Sequence, residues 1–259
     1  PSRGTHLVLP AAALGRPKAS LTVPVPDHFG RFVFTIPQFD DLVYIGLTDV
    51  PAPGPIPDVP RPDADEVDWI LDVFNRSLNK AVTRADVIGS FAGLRPLAAN
   101  PAEGAATADI SRHHLITGGT GEVITVTGGK LTTYRRMAQD AVDRISEVKC
   151  QTQRIALVGA GATPIDPTIP HRLVRRFGSE ASLVAGLADG DNSLLQPLSS
   201  ESHSRVLGVE VLWAQQAEGA LDIEDVLERR TRISLVPGDS ALVNEAVSAL
   251  LGTATITVH

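Results

Sequence analysis

Cysteine is almost absent. Cys150 is the single one in 259 residues, so no disulfide can close within the chain, and a reducing compartment fits. Basic charge is also short: 23 lysines and arginines face 30 aspartates and glutamates, a net charge of −7. A general nucleic-acid binder would carry a basic surplus, so nucleic acid is excluded as a partner and any cationic site must be local. No apolar run approaches the ~18 residues that a membrane-spanning helix requires. Nor does any segment read as a strand, a Gly-x-Gly-x-x-Gly turn and a helix, the pattern that carries a dinucleotide pyrophosphate. Gly159-Ala160-Gly161-Ala162-Thr163-Pro164 comes nearest, but Pro164 stands where the third glycine belongs, and Pro167 and Pro170 bar a long helix. The chain opens at Pro1-Ser2-Arg3 with neither a methionine nor a charged, apolar-cored signal. What remains, at 43% hydrophobic, is ample for one to two compact units.

The most informative stretch that is present runs from Val123 to Tyr134. Val123-Ile124-Thr125-Val126-Thr127 reads as a strand that breaks at Gly128-Gly129. The chain then restarts as a helix with Tyr134, Met137, Ala138, Ala141, Val142 and Ile145 on one apolar face. A glycine pair lets the backbone approach a ligand, and the first amides of the following helix have no partner within it, so the turn is built for negative charge. A phosphate-binding P-loop is excluded. It needs a glycine where Ile124 stands and a serine or threonine where Leu131 stands.

Residues 1 to about 50 read as β, with Phe32, Phe34 and Ile36 alternating against Arg31, Val33 and Thr35. Val43 to Leu47 follows after a turn at Gln38–Asp41, which predicts a hairpin in an antiparallel sheet. Pro51, Pro53, Pro55, Pro57, Pro60 and Pro62 then prevent regular pairing and mark a surface connection. Asp63 and Glu66 form a reciprocal cap for a helix whose apolar face is Val67, Ile70, Leu71, Phe74 and Leu78. Residues 98 to 109 are small and irregular, a loop suited to lie beside a site. Ala160 to Pro170 is a proline-punctuated linker, and helical patterns follow near 170–177, 202–217, 222–231 and 240–251. Their punctuation is Pro170 at a first turn, Gly178 just past an end, and Asp222 with Asp225 at a start.

Gly128-Gly129-Lys130-Leu131-Thr132-Thr133-Tyr134-Arg135 resembles the flavin-contacting segment of FAD-dependent glycerol-3-phosphate dehydrogenases. Six other segments resemble that family in the same order. They are Arg3–Pro10, Phe32–Pro37, Ile45-Gly46-Leu47-Thr48-Asp49, Gly93-Leu94-Arg95-Pro96-Leu97, Ser111-Arg112-His113 and Asp225–Arg232. The resemblance implies an α+β chain in three parts. An antiparallel substrate-binding sheet region spans 1–100, the closing strand–Gly-Gly–helix of an FAD-binding domain spans 101–150, and a C-terminal all-α domain spans 165–259. The last reads as a packing or interface module in preference to a direct catalytic role. It further implies the C-terminal portion of a longer flavoprotein whose missing N-terminal half holds the FAD pyrophosphate, so that this portion alone is expected to be inactive.

The implied reaction oxidises sn-glycerol 3-phosphate to dihydroxyacetone phosphate by hydride transfer to FAD. It requires a base for the hydroxyl proton and cations for the phosphate. The resemblance places these roles as follows. His6, on an apolar strand, is the candidate base, and histidine titrates in the useful range. Arg95 is a catalytic and substrate-binding candidate whose planar fork suits phosphate or an oxygen becoming a carbonyl. Arg112 and Lys130 are further phosphate ligands, and Gly128, Gly129, Lys130, Leu131 and Thr132 contact the flavin. By the residues alone, a structural histidine and a surface arginine with its stem on apolar ground fit His6 and Arg95 as well. The family more often has an acidic residue and an aromatic where His113 and His114 stand. On a strand these two would point to opposite faces, so a metal site is set aside. Leu47 replaces the first threonine of a family Thr-Thr-Asp element, and Asp49 fits a structural acceptor as well as a site residue.

A quinone or oxygen as electron acceptor, a cytoplasmic location and peripheral attachment to the inner face of the plasma membrane are also compatible with the resemblance. Two other readings stay open. One is a related flavoenzyme acting on a hydroxy acid or an amino acid, which needs a single-arginine carboxylate clamp. The other is a non-enzymatic interaction module.

Overall fold

In the computed structural model, residues 1–95, 113–119, 121–162 and 166–253 are described. The expected loop at 98 to 109 lies outside them. They fall into two compact units, one of Pro1–His6, Gly46–Ile70 and Phe91–Ile155, the other of Leu7–Ile45, Leu71–Ser90 and Ala156–His259. Strand β1 (Ser2–Pro10) contributes residues to both.

The expected antiparallel hairpin is present. Strands β3 (Phe32–Pro37) and β4 (Leu42–Gly46) are joined by a turn in which Gln38 N–H donates to the Leu42 carbonyl at 2.8 Å. With β2 (Thr22–Pro24), β5 (Val50–Pro51) and β6 (Gly89–Arg95) they form a six-stranded sheet in the order β2-β3-β4-β1-β5, and β6 also pairs with β1. β4 is buried at every position, so it reads as a continuous apolar run, whereas β3 alternates because one of its faces meets solvent.

Helix α1 (Ala64–Asn75) buries Ile70, Leu71 and Phe74 as its period predicts, and adds Val73. At its start Asp63 N–H donates to Glu66 Oε2 at 3.1 Å. Glu66 is itself buried because Arg3 Nε lies 2.8 Å away and the Thr48 hydroxyl donates to Glu66 Oε1 at 2.6 Å.

In the first unit, β7 (Leu115–Thr117) and β8 (Thr125–Thr127) pair antiparallel with Leu115 opposite Thr127, and α2 (Tyr134–Val142) follows a 3₁₀ turn at Leu131–Thr133. In the second unit lie α3 (His171–Phe177), α4 (Ala181–Gly186), α5 (Gly208–Gln216), a π-helix (Asp225–Arg230) and α6 (Pro237–Thr253). Gly178 ends α3 at φ 58. Two apolar clusters form here, one around Leu173, Ala181, Val184 and Val209, the other around Val211, Val226, Val243 and Val247. Each fully buried valine or leucine contributes roughly 1.5–3 kcal/mol.

Two expectations need correction. The helix read from 202 begins at Gly208, because the Asp239 carboxylate draws the amides of His203 and Ser204 at 3.0 and 2.8 Å and the Ser202 hydroxyl accepts from Ser204 N–H at 3.0 Å. Serine and aspartate acceptors compete with helical pairing. α4, which follows a 3₁₀ turn at Gly178–Glu180, was not foreseen.

Candidate active site

The two-residue period of β1 places Ser2, Gly4 and His6 on one face and Arg3, Thr5 and Leu7 on the other. The first set builds a site. Arg95, at the end of β6, reaches that face and is held there by three groups. Its Nη1 donates to Asp49 Oδ1 at 2.9 Å and to the Ser2 hydroxyl at 3.2 Å, and its Nη2 donates to the Thr48 carbonyl at 2.9 Å. Gly4 is what lets it lie so close: a Cβ there would stand 2.3 Å from Arg95 Nη2. Behind the site, Thr5 N–H donates to the Thr48 hydroxyl at 3.0 Å, tying β1 to the segment that carries Asp49.

His6 sits two residues along. Its ring stacks on Phe91 at 5.0 Å between centroids and 6° between planes. Gly46 presses on its other flank, where a Cβ would meet His6 Cδ2 at 2.3 Å and Nε2 at 2.7 Å. Burial, and secondarily the positive charge of Arg95, hold the imidazole down at about 4. The expectation that His6 titrates near neutrality is therefore corrected: the ring is neutral across the physiological range.

The glycine turn has the geometry its sequence implies. Gly128 and Gly129 take φ 74 and 76, and a Cβ on Gly129 would fall 2.4 Å from Met137 Sδ and 3.3 Å from His114 Cβ. Any side chain there would push the Met137 thioether aside and hold a strained left-handed backbone. Lys130 and Thr133 close the 3₁₀ turn reciprocally: Lys130 N–H donates to the Thr133 hydroxyl at 3.1 Å, and that hydroxyl donates to the Lys130 carbonyl at 2.9 Å. Leu131 is almost fully exposed. His114 lies 2.8 Å from the Asp140 carboxylate, which fastens the residue before β7 to α2 beneath the turn. The hydrogen bond from Arg136, joined by that of His114, lowers the Asp140 pKa.

His6 and Arg95 are thus brought together. Lys130 is exposed and shares no contact with either among the described residues. Arg112 lies outside the described residues.

A profile of the FAD dependent oxidoreductase family matches residues 1–135. The chain belongs to that family. A profile described as the C-terminal domain of alpha-glycerophosphate oxidase matches residues 150–254 of this FAD dependent oxidoreductase. Glycerol-3-phosphate dehydrogenase 1 of Mycobacterium bovis is 44% identical over 252 residues, which cover 92% of this chain and 48% of the relative. Glycerol-3-phosphate dehydrogenase 2 of the same organism is 33% identical over 254 residues, covering 90% and 42%. The chain spans about half the length, or somewhat less, of these curated relatives. An X-ray structure of the glycerol-3-phosphate dehydrogenase from Bacillus halodurans complexed with FAD aligns with a TM-score of 0.69 at 24% identity, over 98% of this chain and 53% of that one. The likeness establishes a shared fold.

For this FAD dependent oxidoreductase, three residues around Arg95 and His6 escaped the sequence reading: Gly4 and Gly46, which make room, and Ser2, which holds Arg95 together with Asp49, a residue the sequence left open between a structural and a site role. The period of β1 was the available signal for Ser2 and Gly4, since both share the face of His6.

Proposed function

We propose that the protein carrying this chain oxidises sn-glycerol 3-phosphate to dihydroxyacetone phosphate. The observation that carries this reading is a neutral, close-packed histidine beside a fixed arginine on one strand face. The residues fit FAD at the glycine turn, because the backbone of Gly128 and Gly129 is bare and the first amides of Leu131 and Thr132 lack helical partners. When bound, FAD supplies the acceptor for a hydride.

The chain's own residues do the rest. His6 takes the proton of the substrate hydroxyl as the carbon–hydrogen bond gives up its electron pair and the carbon–oxygen double bond forms. The Arg95 fork offers charge-assisted hydrogen bonds to the phosphate or to the oxygen that becomes a carbonyl. Asp49 and the Thr48 carbonyl keep that fork in place, which limits the entropy lost on binding. Arg112 and Lys130 complete the phosphate site by resemblance.

The same reading assigns residues 1–100 to a substrate-binding sheet region, 101–150 to the closing part of an FAD-binding domain and 165–259 to a helical domain. An N-terminal half supplies the pyrophosphate contacts, so residues 1–259 alone purify colourless and reduce no dye. A quinone, met at the cytoplasmic face of the plasma membrane, fits as the electron acceptor.

Turnover of the intact protein with glycerol 3-phosphate, 2-hydroxyglutarate and amino acids tests the substrate. Glycerol 3-phosphate should be the one oxidised, and preference for either other class would refute the assignment.

A further inference from the structure

Glu66 takes no part in the site above, yet it is buried, and a buried carboxylate has to be matched by partners. Capping α1 accounts for one of its oxygens only: Asp63 N–H donates to Oε2 at 3.1 Å, and Arg3 Nε lies 2.8 Å from the same oxygen. Oε1 is spent elsewhere. It accepts from the Thr48 hydroxyl at 2.6 Å, the length of a charge-assisted bond, across 18 residues of sequence. A helix cap does not call for that contact.

The contact fixes the hydroxyl in both of its roles. A carboxylate accepts and a hydroxyl has one proton to give, so that proton is committed to Glu66, and the oxygen's lone pairs turn to Thr5 N–H, which donates to it at 3.0 Å. Thr48, itself buried, is thereby clamped between α1 and β1. Just beyond it β5 pairs with β1, Val50 opposite Arg3. Two of the groups that hold the Arg95 fork belong to the clamped dipeptide: the Thr48 carbonyl takes Nη2 and Asp49 Oδ1 takes Nη1, each at 2.9 Å. A guanidinium is rigid and planar, so acceptors on adjacent residues set the direction of its plane.

We propose that Glu66 is a positioning residue for Arg95, acting through the Thr48 hydroxyl, which rests on the reading of Arg95 as a substrate ligand. A Glu66 that served the fold alone would need only Asp63 and Arg3. Thr48 separates the two roles: loss of its hydroxyl leaves Glu66 its cap and its ion pair but frees the dipeptide that orients the fork. Drift of the fork by an ångström then lowers turnover, because the phosphate or the developing carbonyl has to meet it in one orientation.

Two measurements on the intact protein test this: nitrogen-15 NMR of the arginine side chains, where the Arg95 signal is the one that Arg95→Gln removes, and steady-state kinetics with glycerol 3-phosphate. Thr48→Val keeps nearly the same shape without the hydroxyl. It should speed exchange of the Arg95 guanidinium protons about tenfold and lower kcat/KM by about the same factor, kcat included. Thr48→Ser retains the hydroxyl and should stay close to wild type in both. Glu66→Met should match Thr48→Val, and where it fails to fold the two threonine variants carry the test. Faster Arg95 exchange with unchanged kcat/KM would uphold the positioning and remove Arg95 from the substrate site. Arg95 exchange in Thr48→Val equal to wild type, or a change in Thr48→Ser as large as in Thr48→Val, would overturn the proposal.

Discussion

Residues 113–155 and 171–253 both carry apolar side chains at regular spacing and use them in opposite ways. In the helical part Leu173, Val184, Val209 and Val247 are fully excluded from water, and even Glu210 is buried between two arginines. In the strand–turn–helix part, Ile116 is the one buried residue among those described, while Val123 and Leu131 stand 86% and 88% exposed and Tyr134, Val142 and Ile145 are open as well. An amphipathic period therefore says that a face is to be covered, not by what. The helical part covers most of its own apolar faces, leaving Leu183, Leu221 and Leu242 open. The glycine-turn part leaves several large apolar side chains open to solvent, in keeping with the proposal that an N-terminal half completes it.

The largest effect should come from opening the closed side of this contrast. Glu210→Ala removes the buried carboxylate on which half-buried Arg172 and Arg176 converge, leaving Arg172 with Asp40 alone, and loss of one partner from a buried ionic cluster costs up to about 3–5 kcal/mol. Urea unfolding measures it. A loss below about 1 kcal/mol would mean that water already reaches the cluster.

Gly46→Ala should act on chemistry instead of stability. The added methyl would fall 2.3 Å from His6 Cδ2, and a shift of the ring by an ångström can lower turnover on the order of 10²-fold. Gly93→Ala is the matched control, because its methyl would meet nothing within 4 Å. Equal turnover in the two variants would detach His6 from the mechanism.

The pH profile gives a smaller signal. His6 is held at about 4 in the fold against 6.5 for a free imidazole, so between those values the unfolded chain binds a proton that the folded chain refuses. Its contribution to stability is complete above about pH 6.5, falls as the pH drops toward 4, and is flat below. Denaturation midpoints across this window should slope in the wild type and less so in His6→Gln. Parallel profiles would contradict the assigned burial.

The smallest effect belongs to the open side. Leu131→Ala should change the stability of residues 1–259 by less than about 0.5 kcal/mol, since the side chain has little to lose. A cost of several kcal/mol would show that Leu131 is packed.

Much of this was legible in the sequence where the cause is local. The β3–β4 hairpin, the inner face of α1, the end of α3 at Gly178 and the glycine turn all follow from period, proline and glycine. The misplaced start of α5 and the attachments of Arg95 share one reason for having been hidden. Asp239 lies 35 residues from Ser204, and Asp49 lies 46 from Arg95, and no local pattern reports such distant partners. His6 was visible as a histidine on a strand, but its depressed pKa comes from burial and from an arginine that only the fold delivers.

The central claim is that His6 and Arg95 act on one phosphorylated alcohol. Steady-state kinetics of the intact protein with glycerol 3-phosphate test it directly, through Arg95→Ala and His6→Ala. Arg95→Ala should raise KM and lower kcat, because it removes binding as well as orientation, while His6→Ala should lower kcat with KM nearly unchanged. Unaltered kinetics in both variants would contradict the account.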